Sequence, residues 1–444
     1  MSKTFRAWDV DQVWLLPASV HDFVSAGHPA HLVRELVRAE LDLAAILAEY
    51  EREERGQPPY HPAMMVALLL YAHTQGIYAS RRIARACEER LDVMAVTGMQ
   101  RPDFRTISEF RRRHLAALTG LFVQILRLCH EAGLVKLGHV ALDGTRLQAN
   151  ASKHQAMSYG RMRRAEAGLA VEVAGWLARA EREDAADDAE HGPDQRGDEL
   201  PEWVKDKRAR LERIRAAKAA LEAEAEAEAP PDAEPGPASG MSDHGRPRRA
   251  ADGGPPARAQ RNLTDPDSRI MKTRDGFIQG YNGQLAVDAG HQIIVAQRLT
   301  TNGSDQAGLV ALVDAAGAAL GRQPREISAD AGFCREDNLA ALEARGIRGY
   351  LAPGRAVHGA PDPSGRRRLK PGSRMAAMAA RLKRAGRRSR YRLRKQTVEP
   401  VIGQIKQARG FRQFLLRGFG KVQAEWALIC AAHNLTKLLA ARGA

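Results

Sequence analysis

The sequence predicts an α/β protein whose mixed core follows an all-helical region and is interrupted by a helical insertion. Three observations carry that reading. Residues 1–135 place apolar side chains at three- and four-residue steps and show no strand alternation. Short segments at 136–150 and in 263–444 have the period of strands, and in the later region they alternate with helical patterns. Between them, residues 151–262 are rich first in Ala, Glu and Arg, then in Pro, Gly and Ser.

In the first region, Leu36, Leu43, Ile46, Leu47 and Tyr50 predict one amphipathic helix, ended by Gly56, Pro58 and Pro59. A second helix is expected from Pro62 to Tyr71, with the proline in its first turn, and a third from Ser80 through SRRIARACEE. After the polar turn GMQRPDFRT, Thr106 and Glu109 fit a capping box. The helix they would open carries Ile107, Phe110, His114, Leu118, Phe122, Ile125 and Cys129 on one face. The turn before it has a helix-turn-helix layout, which would bring Arg105, Arg111, Arg112 and Arg113 to DNA. The alternative is a helical dimerisation or packing domain with a charged face.

HVALDGTRLQAN predicts the first strand, with Val140 and Leu142 on one face and Ala141, Asp143 and Thr145 on the other. Helices follow from Ser158 to about Ala229, broken at DAEHGPDQRGDELP. The stretch after them has the composition of a loosely held linker, in which proteolysis is expected first between Pro230 and Ala259. Beyond 263, YNGQLAVDA and HQIIVAQRLT read as a hairpin around Asp288-Ala289-Gly290. A helix in SDQAGLVALVDAAGAAL, a short strand ending at Asp330, a helix in EDNLAALEARG and a strand in IRGYLAP complete the alternation. The last segment reads as a helix around Glu399, the loop RGFRQFLLRGFG and the helix VQAEWALICAAHNLTKLL.

Charge narrows the function. The chain holds 68 Lys and Arg against 53 Asp and Glu, a formal net charge of +15, which calls for a polyanionic partner. No membrane span is expected, and MSKTFRAWDV has no apolar core of a signal peptide. Cys87, Cys129, Cys334 and Cys430 form no CxxC pair, against a zinc or dithiol site and in keeping with a reducing cytoplasm. His61, His73, His114, His139, His154 and His433 show no ligand spacing. Low aromatic content and the positive charge count against a glycosidase, which would also use paired carboxylates.

Three acids stand out in this basic chain: Asp143 late in the first strand, Asp330 at the end of a later one, and Glu399 on a helix after the most basic run. Two strand ends and a helix can converge on one edge of a sheet. Three carboxylates cannot share a site unless cations or protons neutralise them. In a basic groove Mg²⁺ suits oxygen ligands and phosphate, and two such ions would activate the attacking oxygen and stabilise the leaving one. Asp288, at the hairpin, is the main rival as a ligand, but a turn role suits it better, as it does Asp265 and Asp267. From Arg381 to Lys395 there are nine Lys or Arg and no acid, a run expected to bind phosphate.

With these residues in view, the chain resembles a DDE transposase of an insertion sequence, IS1182-like within the broad IS4/IS5 group, with an InsH-like N-terminal domain. The resemblance rests on YHPAMMVALLLYAHTQGIYASRRIARACEE, RPDFRTISEFRRRH, ALDGTRLQANASKH, DPDSRIMKTRDGFIQGYNGQLAVDA, ISADAGF, YRLRKQTVEPVIGQIKQARGFRQFLLRG and AAHNLTKLL. It implies an RNase H-like catalytic core in 136–150 and 263–444, interrupted by the insertion at 151–262 and preceded by a DNA-binding or dimerisation domain at 1–135. Asp143, Asp330 and Glu399 match its acidic triad, and two Mg²⁺ ions, replaceable by Mn²⁺, would be its cofactors. The family's signature around the glutamate is matched by Tyr391, Arg394, Glu399 and Lys406, except that four residues rather than three separate Arg394 from Glu399. Either Lys395 stands in the arginine's place or the turn before the helix is one residue longer.

The implied activity is cleavage at transposon ends and transfer of the 3′-OH to target DNA. Lys406, Tyr391, Arg394, Lys395, Arg387, Arg388, Arg111, Arg112 and Arg113 would contact DNA. The partners implied are terminal inverted repeats and target duplex, with a homodimer on DNA, in the cytoplasm at the nucleoid. A nuclease that cuts without joining, or a non-catalytic DNA-binding protein derived from a transposase, are the alternatives.

Overall fold

The computed structural model describes residues 23–50, 58–191, 202–227, 254–354 and 369–443. Most of the expected linker lies outside them. The helical region opens with α1 (Pro29–Ala39), α2 (Ala44–Tyr50) and α3 (Pro62–Thr74). A proline starts α1 and α3, and the histidine before each is the cap: Nδ1 of His28 accepts from the Ala30 amide at 3.2 Å, and Nδ1 of His61 from Ala63 at 3.1 Å. The single helix expected over residues 36–50 is instead two, because Asp42 Oδ1 takes the Ala44 amide at 2.9 Å and starts a new helix.

The next elements are α4 (Ser80–Glu89), α5 (Leu91–Thr97), α6 (Phe104–Arg113) and α7 (Leu115–Glu131). The cap of α6 is Asp103, not Thr106. Its Oδ1 accepts from the amides of Arg105 at 2.6 Å and Thr106 at 3.0 Å, which puts Thr106 inside the first turn. The helix expected to run on to Cys129 is interrupted at His114, which is buried with its ring 4.7 Å from Phe110 and 5.5 Å from Tyr50.

The main sheet is built on β1 (His139–Gln148). On one side it pairs antiparallel with β5 (Gly276–Asp288), and on the other parallel with β7 (Glu326–Ala329), which is followed by parallel β8 (Arg348–Leu351). The far edge of β5 is shared. β4 (Arg269–Thr273) takes its first half and β6 (Ile294–Thr300) its second. Helices α10 (Leu309–Leu320) and α11 (Glu336–Ala344) link β6 to β7 and β7 to β8. The expected hairpin around Asp288 is the β5–β6 turn. Asp288 is fully buried there, accepting from the Leu137 amide at 2.7 Å and the Gly290 amide at 2.9 Å, so it ties the turn to the start of β1.

α12 (Arg374–Ala385), α13 (Leu393–Gly403) and α14 (Phe419–Arg442) complete the chain. α14 is buried along most of its length and packs on α3, α7 and β6. One contiguous apolar cluster therefore runs from the helical region through the sheet. Where α14 passes β6, Asn434 behaves as a strand partner: its Oδ1 accepts from the Ile294 amide and its Nδ2 donates to the Ile294 carbonyl, both at 2.8 Å.

The insertion leaves the sheet after β1. β2 (Ala156–Ser158) and β3 (Gln260–Asn262) form a two-stranded ribbon at its base, and α8 (Tyr159–His191) and α9 (Glu202–Ala227) form a helical pair above. α9 alone is about 40 Å long at 1.5 Å per residue. The pair has a small core of its own, with Met157, Met162, Ile214, Ala217 and Leu221. Trp176 and Trp203 meet edge to face at 6.1 Å. As expected, no strand of the insertion joins the main sheet among the described residues.

Candidate functional site: an acidic centre bridged by arginine

The parallel register of β1 and β7 ends at Leu142 opposite Ala329. The next residue on each chain is an aspartate, Asp143 and Asp330, so strand pairing alone sets the two carboxylates side by side, on strands about 4.8 Å apart. Each is anchored to the following turn: Asp143 Oδ1 accepts from the Gly144 amide and Asp330 Oδ1 from the Gly332 amide, both at 2.9 Å.

The third acid comes from α13. Arg394 sits in its first turn and spans two acids: Nη1 donates to Asp143 Oδ2 at 2.7 Å, and Nη2 lies 3.1 Å from Glu399 Oε1. Only 13% of the Arg394 side chain and 15% of the Asp143 side chain are exposed, against 45% for Glu399. The outer acid is thus open while the inner pair is enclosed. Of the two readings left open by the sequence spacing, the geometry favours the longer turn, because Arg394 faces the acids and Lys395 is exposed.

A fourth carboxylate stands in the same place, and sequence reading does not find it. Asp305 lies between β6 and α10, where its Oδ1 accepts from the side-chain amides of Asn282 at 2.7 Å and Gln284 at 2.9 Å. It presses on the two glycines that follow the aspartates. A Cβ added at Gly144 would lie 2.2 Å from Asp305 Oδ1, and one at Gly332 would lie 3.0 Å from Asp330 Oδ1 and 3.4 Å from Asp305 Cβ. The available signal is an acid in NGSDQA beside two amides, Asn282 and Gln284, on one face of a strand.

The electrostatics follow from this crowding. Burial is the first cause that pushes the Asp143 carboxyl up, to about 7; Asp330 and Asp305 add to it, and Arg394 and the Gly144 amide oppose it. Asp330 is raised by burial and by Asp305, against Arg394. Burial works against the Arg394 charge, but Asp143, Tyr391, Glu399 and Asp330 outweigh it and hold the guanidinium firmly protonated. Arg394 thus faces three acids, Asp143, Glu399 and Asp330.

Among the described residues no three His, Cys, Asp or Glu side chains are gathered as a ready metal site. Arg394 fills the space between Asp143 and Glu399 where a shared cation would lie. The donor set itself suits a hard divalent ion: carboxylate oxygens only, on Asp143, Asp330, Glu399 and Asp305.

The other expected contacts divide. Lys406 lies in a π-helical turn, Gln404–Ala408, that continues α13. Its Nζ donates to Thr145 Oγ1 at 2.9 Å and to the Arg146 carbonyl at 2.8 Å, so it fastens the helix to β1. Tyr391 is half-buried beside Arg394, its phenol pushed up by burial. Arg388 and Lys395 are exposed, and the side chain of Arg387 lies outside those described. Arg111 turns inward, donating to the Tyr78 carbonyl at 3.0 Å and Ser80 Oγ at 2.6 Å. Arg112 pairs with Glu109 through Nε at 2.8 Å, and Arg113 pairs with Glu49 at 2.8 Å while stacking on Tyr50. The arginine triplet therefore does not present three free cations to DNA.

Two family models match the chain: the transposase domain DUF772 over residues 18–113, and a transposase DDE domain over residues 367–439. Both matched segments are similar to transposase domains. The chain's N-terminal part is transposase-like and its C-terminal part DDE-domain-like, consistent with the broad IS4/IS5 group. The second match contains Tyr391, Arg394, Glu399 and Lys406; Asp143 and Asp330 lie outside it. Neither the curated proteins nor the solved structures gave a match. No helix among the described residues is long and apolar enough to cross a membrane.

Proposed function

We propose that the chain is an insertion-sequence transposase, IS1182-like with an InsH-like N-terminal domain, and that it cuts and joins DNA with Asp143, Asp330 and Glu399. The observation that carries this is the side-by-side placement of Asp143 and Asp330 by the β1–β7 register, with Glu399 tied to Asp143 through Arg394. The sheet supports an RNase H-like core: three antiparallel strands, β6, β5 and β1, continued by parallel β7 and β8, with the third acid on a helix packed against β1.

In this reading Asp143, Asp330 and Glu399 would hold Mg²⁺ through carboxylate oxygens, and the ion would supply activation of the attacking water or 3′-OH and neutralisation of charge on the leaving oxygen. The chain's own groups do the rest. Asp143 and Asp330, fixed by strand pairing and by the Gly144 and Gly332 amides, define where the scissile phosphate sits. Glu399, on the exposed side, closes that position. Arg394 neutralises the acids in the absence of substrate and is free to hold a phosphate oxygen when displaced. Lys406 keeps α13 in register with β1. Exposed cations of the basic run, Lys383, Arg384, Arg388 and Lys395, bind the flanking backbone. The DNA is duplex, transposon ends and then target, and a second copy of the chain brings the second end.

The test is cleavage and joining of labelled transposon-end duplexes in Mg²⁺ by Asp143→Asn, Asp330→Asn and Glu399→Gln. Each should abolish both steps while duplex binding in gel shifts persists. Full joining by Asp330→Asn removes that residue from the triad. Cleavage without joining by the unaltered protein, across many candidate ends, makes it a nuclease.

A further inference from the structure

A second concavity lies along β1, away from the acids. It is a cleft of about 610 Å³ between the end of β1, the β4–β5 hairpin and the loop before α14. Its wall carries amides, among them Gln148, Asn150 and Gln279, and two exposed cations, Lys153 and Arg417, with no acid among the described lining residues. At its side stands Phe277, an aromatic ring left 58% exposed. Phe277 and Gln279 share a face of β5.

Gln279 is the least explained group here. It is 3% exposed, and its Nε2 donates to Ser268 Oγ at 2.8 Å. That hydroxyl in turn donates to the Asp265 carbonyl at 2.7 Å, which fixes the amide's orientation. Gln279 Oε1 is then a buried acceptor with no donor, an arrangement that costs free energy unless something else supplies the hydrogen.

We infer that this cleft binds an unpaired segment of a DNA strand, one or two nucleotides long, whose base stacks on Phe277. The inference rests on the DNA-transacting reading above and adds a strand-holding site to it. A stacking face, amide groups for base edges and cations without opposing acids are the elements of single-strand recognition. The volume admits a nucleotide or two and excludes a double helix. The base's N–H donors meet the amide-lined wall, where Gln279 lacks a donor. Lys153 and Arg417 take the phosphates on either side. Gln148 lies five residues beyond Asp143 on β1, about 17 Å, the rise of about five base pairs. A strand unpaired at that distance from the scissile phosphate would reach both sites.

The experiment uses the full chain with three labelled DNAs: a blunt duplex, the same duplex with a five-nucleotide single-stranded tail, and a tail carrying 2-aminopurine. Fluorescence anisotropy should show the tailed duplex bound on the order of tenfold more tightly than the blunt one, with 2-aminopurine quenched. Phe277→Ala should lose the tail's gain and the quenching but keep blunt-duplex affinity, and Phe277→Trp should restore both. Because Phe277 is exposed, its loss leaves the melting temperature unchanged, which separates this effect from misfolding. The Lys153→Ala/Arg417→Ala variant should lower the salt slope for tailed DNA by about 0.7 per phosphate released. Equal affinity for blunt and tailed DNA, or full tail gain in Phe277→Ala, overturns the cleft while leaving the transposase reading intact. Absence of binding to all three DNAs overturns both.

Discussion

Replacing Gly144 by alanine adds one methyl group, and the structure sets its cost. The backbone there is ordinary strand, so an alanine meets no conformational penalty of its own. Its Cβ would fall 2.2 Å from Asp305 Oδ1, 2.7 Å from Cγ and 2.9 Å from Oδ2. Asp305 cannot swing away freely, because Oδ1 holds the side-chain amides of Asn282 and Gln284, residues that are 1% and 0% exposed. Hydrogen bonds to a charged group contribute about 1.5–3 kcal/mol each, so losing both costs on the order of 3–6 kcal/mol and losing one about half that. Urea unfolding followed by circular dichroism should show Gly144→Ala less stable by an amount in that range. The decisive comparison is the double variant. Asp305→Ala alone takes an acceptor from both amides, leaving Asn282 only the Asn302 carbonyl at 3.3 Å, but it also vacates the space the methyl needs. Gly144→Ala/Asp305→Ala should therefore be more stable than the sum of the two single losses predicts, by about 1–3 kcal/mol. A near-neutral Gly144→Ala, or strictly additive losses, would refute the claim that Asp305 is clamped against this glycine.

Three further outcomes follow from other parts of the molecule. Asp288→Asn should lower stability, since Asp288 accepts from two backbone amides in a fully buried position, yet retain Mg²⁺-dependent cleavage; loss of cleavage at unchanged stability would return it to the list of ligands. Burial pushes the Glu425 carboxyl up to about 7, against donation from the Leu415 and Leu416 amides and the charge of Arg111. The folded state thus holds this proton more tightly than the unfolded chain does, and stability should fall by roughly 3 kcal/mol as pH rises from about 4.5 to 7, a slope that Glu425→Gln flattens in melts across that range. Changing Lys383, Arg384, Arg388 and Lys395 together to alanine should weaken duplex binding irrespective of sequence and reduce the salt slope by about 0.9 for each phosphate no longer neutralised, while unchanged slopes would place the DNA elsewhere.

Much of the core is legible in the sequence because its signals are local. Alternation marks β1, β5, β6, β7 and β8, and the position of Asp143 and Asp330 at strand ends is enough to bring them together once β1 and β7 pair. The insertion is legible from composition. What escapes depends on residues distant in sequence. Asp305 carries no motif, and its role exists only because Gly144, Asn282 and Gln284 come from two other strands. The inward turn of Arg111 depends on Tyr78 and Ser80 in a neighbouring segment, and nothing in an arginine triplet distinguishes the one that faces the core. The β4 strand and the three-residue strands β2 and β3 escape because β4 is mostly polar and the other two are too short to show a period. Asp103 is hidden as a cap because Thr106 and Glu109 offer a more familiar pattern three residues later. The acids' neutralisation by Arg394 is not foreseeable either, since the sequence suggests a metal and the fold supplies a guanidinium.

The placement of α14 has a consequence for the chain's synthesis. The helix serves as a wall for α3 and α7, elements from the first third of the chain, and as a strand substitute for β6 through Asn434. Neither the N-terminal helices nor the edge of the sheet can bury its apolar surface until residues 419–442 have emerged from the ribosome. Most multidomain chains fold from the N-terminus as they are made. This one must keep the α14-facing surfaces of α3 and α7 waiting for the time taken to translate some three hundred further residues after α7. A nascent chain stalled just before α14 is a client for chaperones or proteases even though Asp143, Asp330 and Glu399 have all been made.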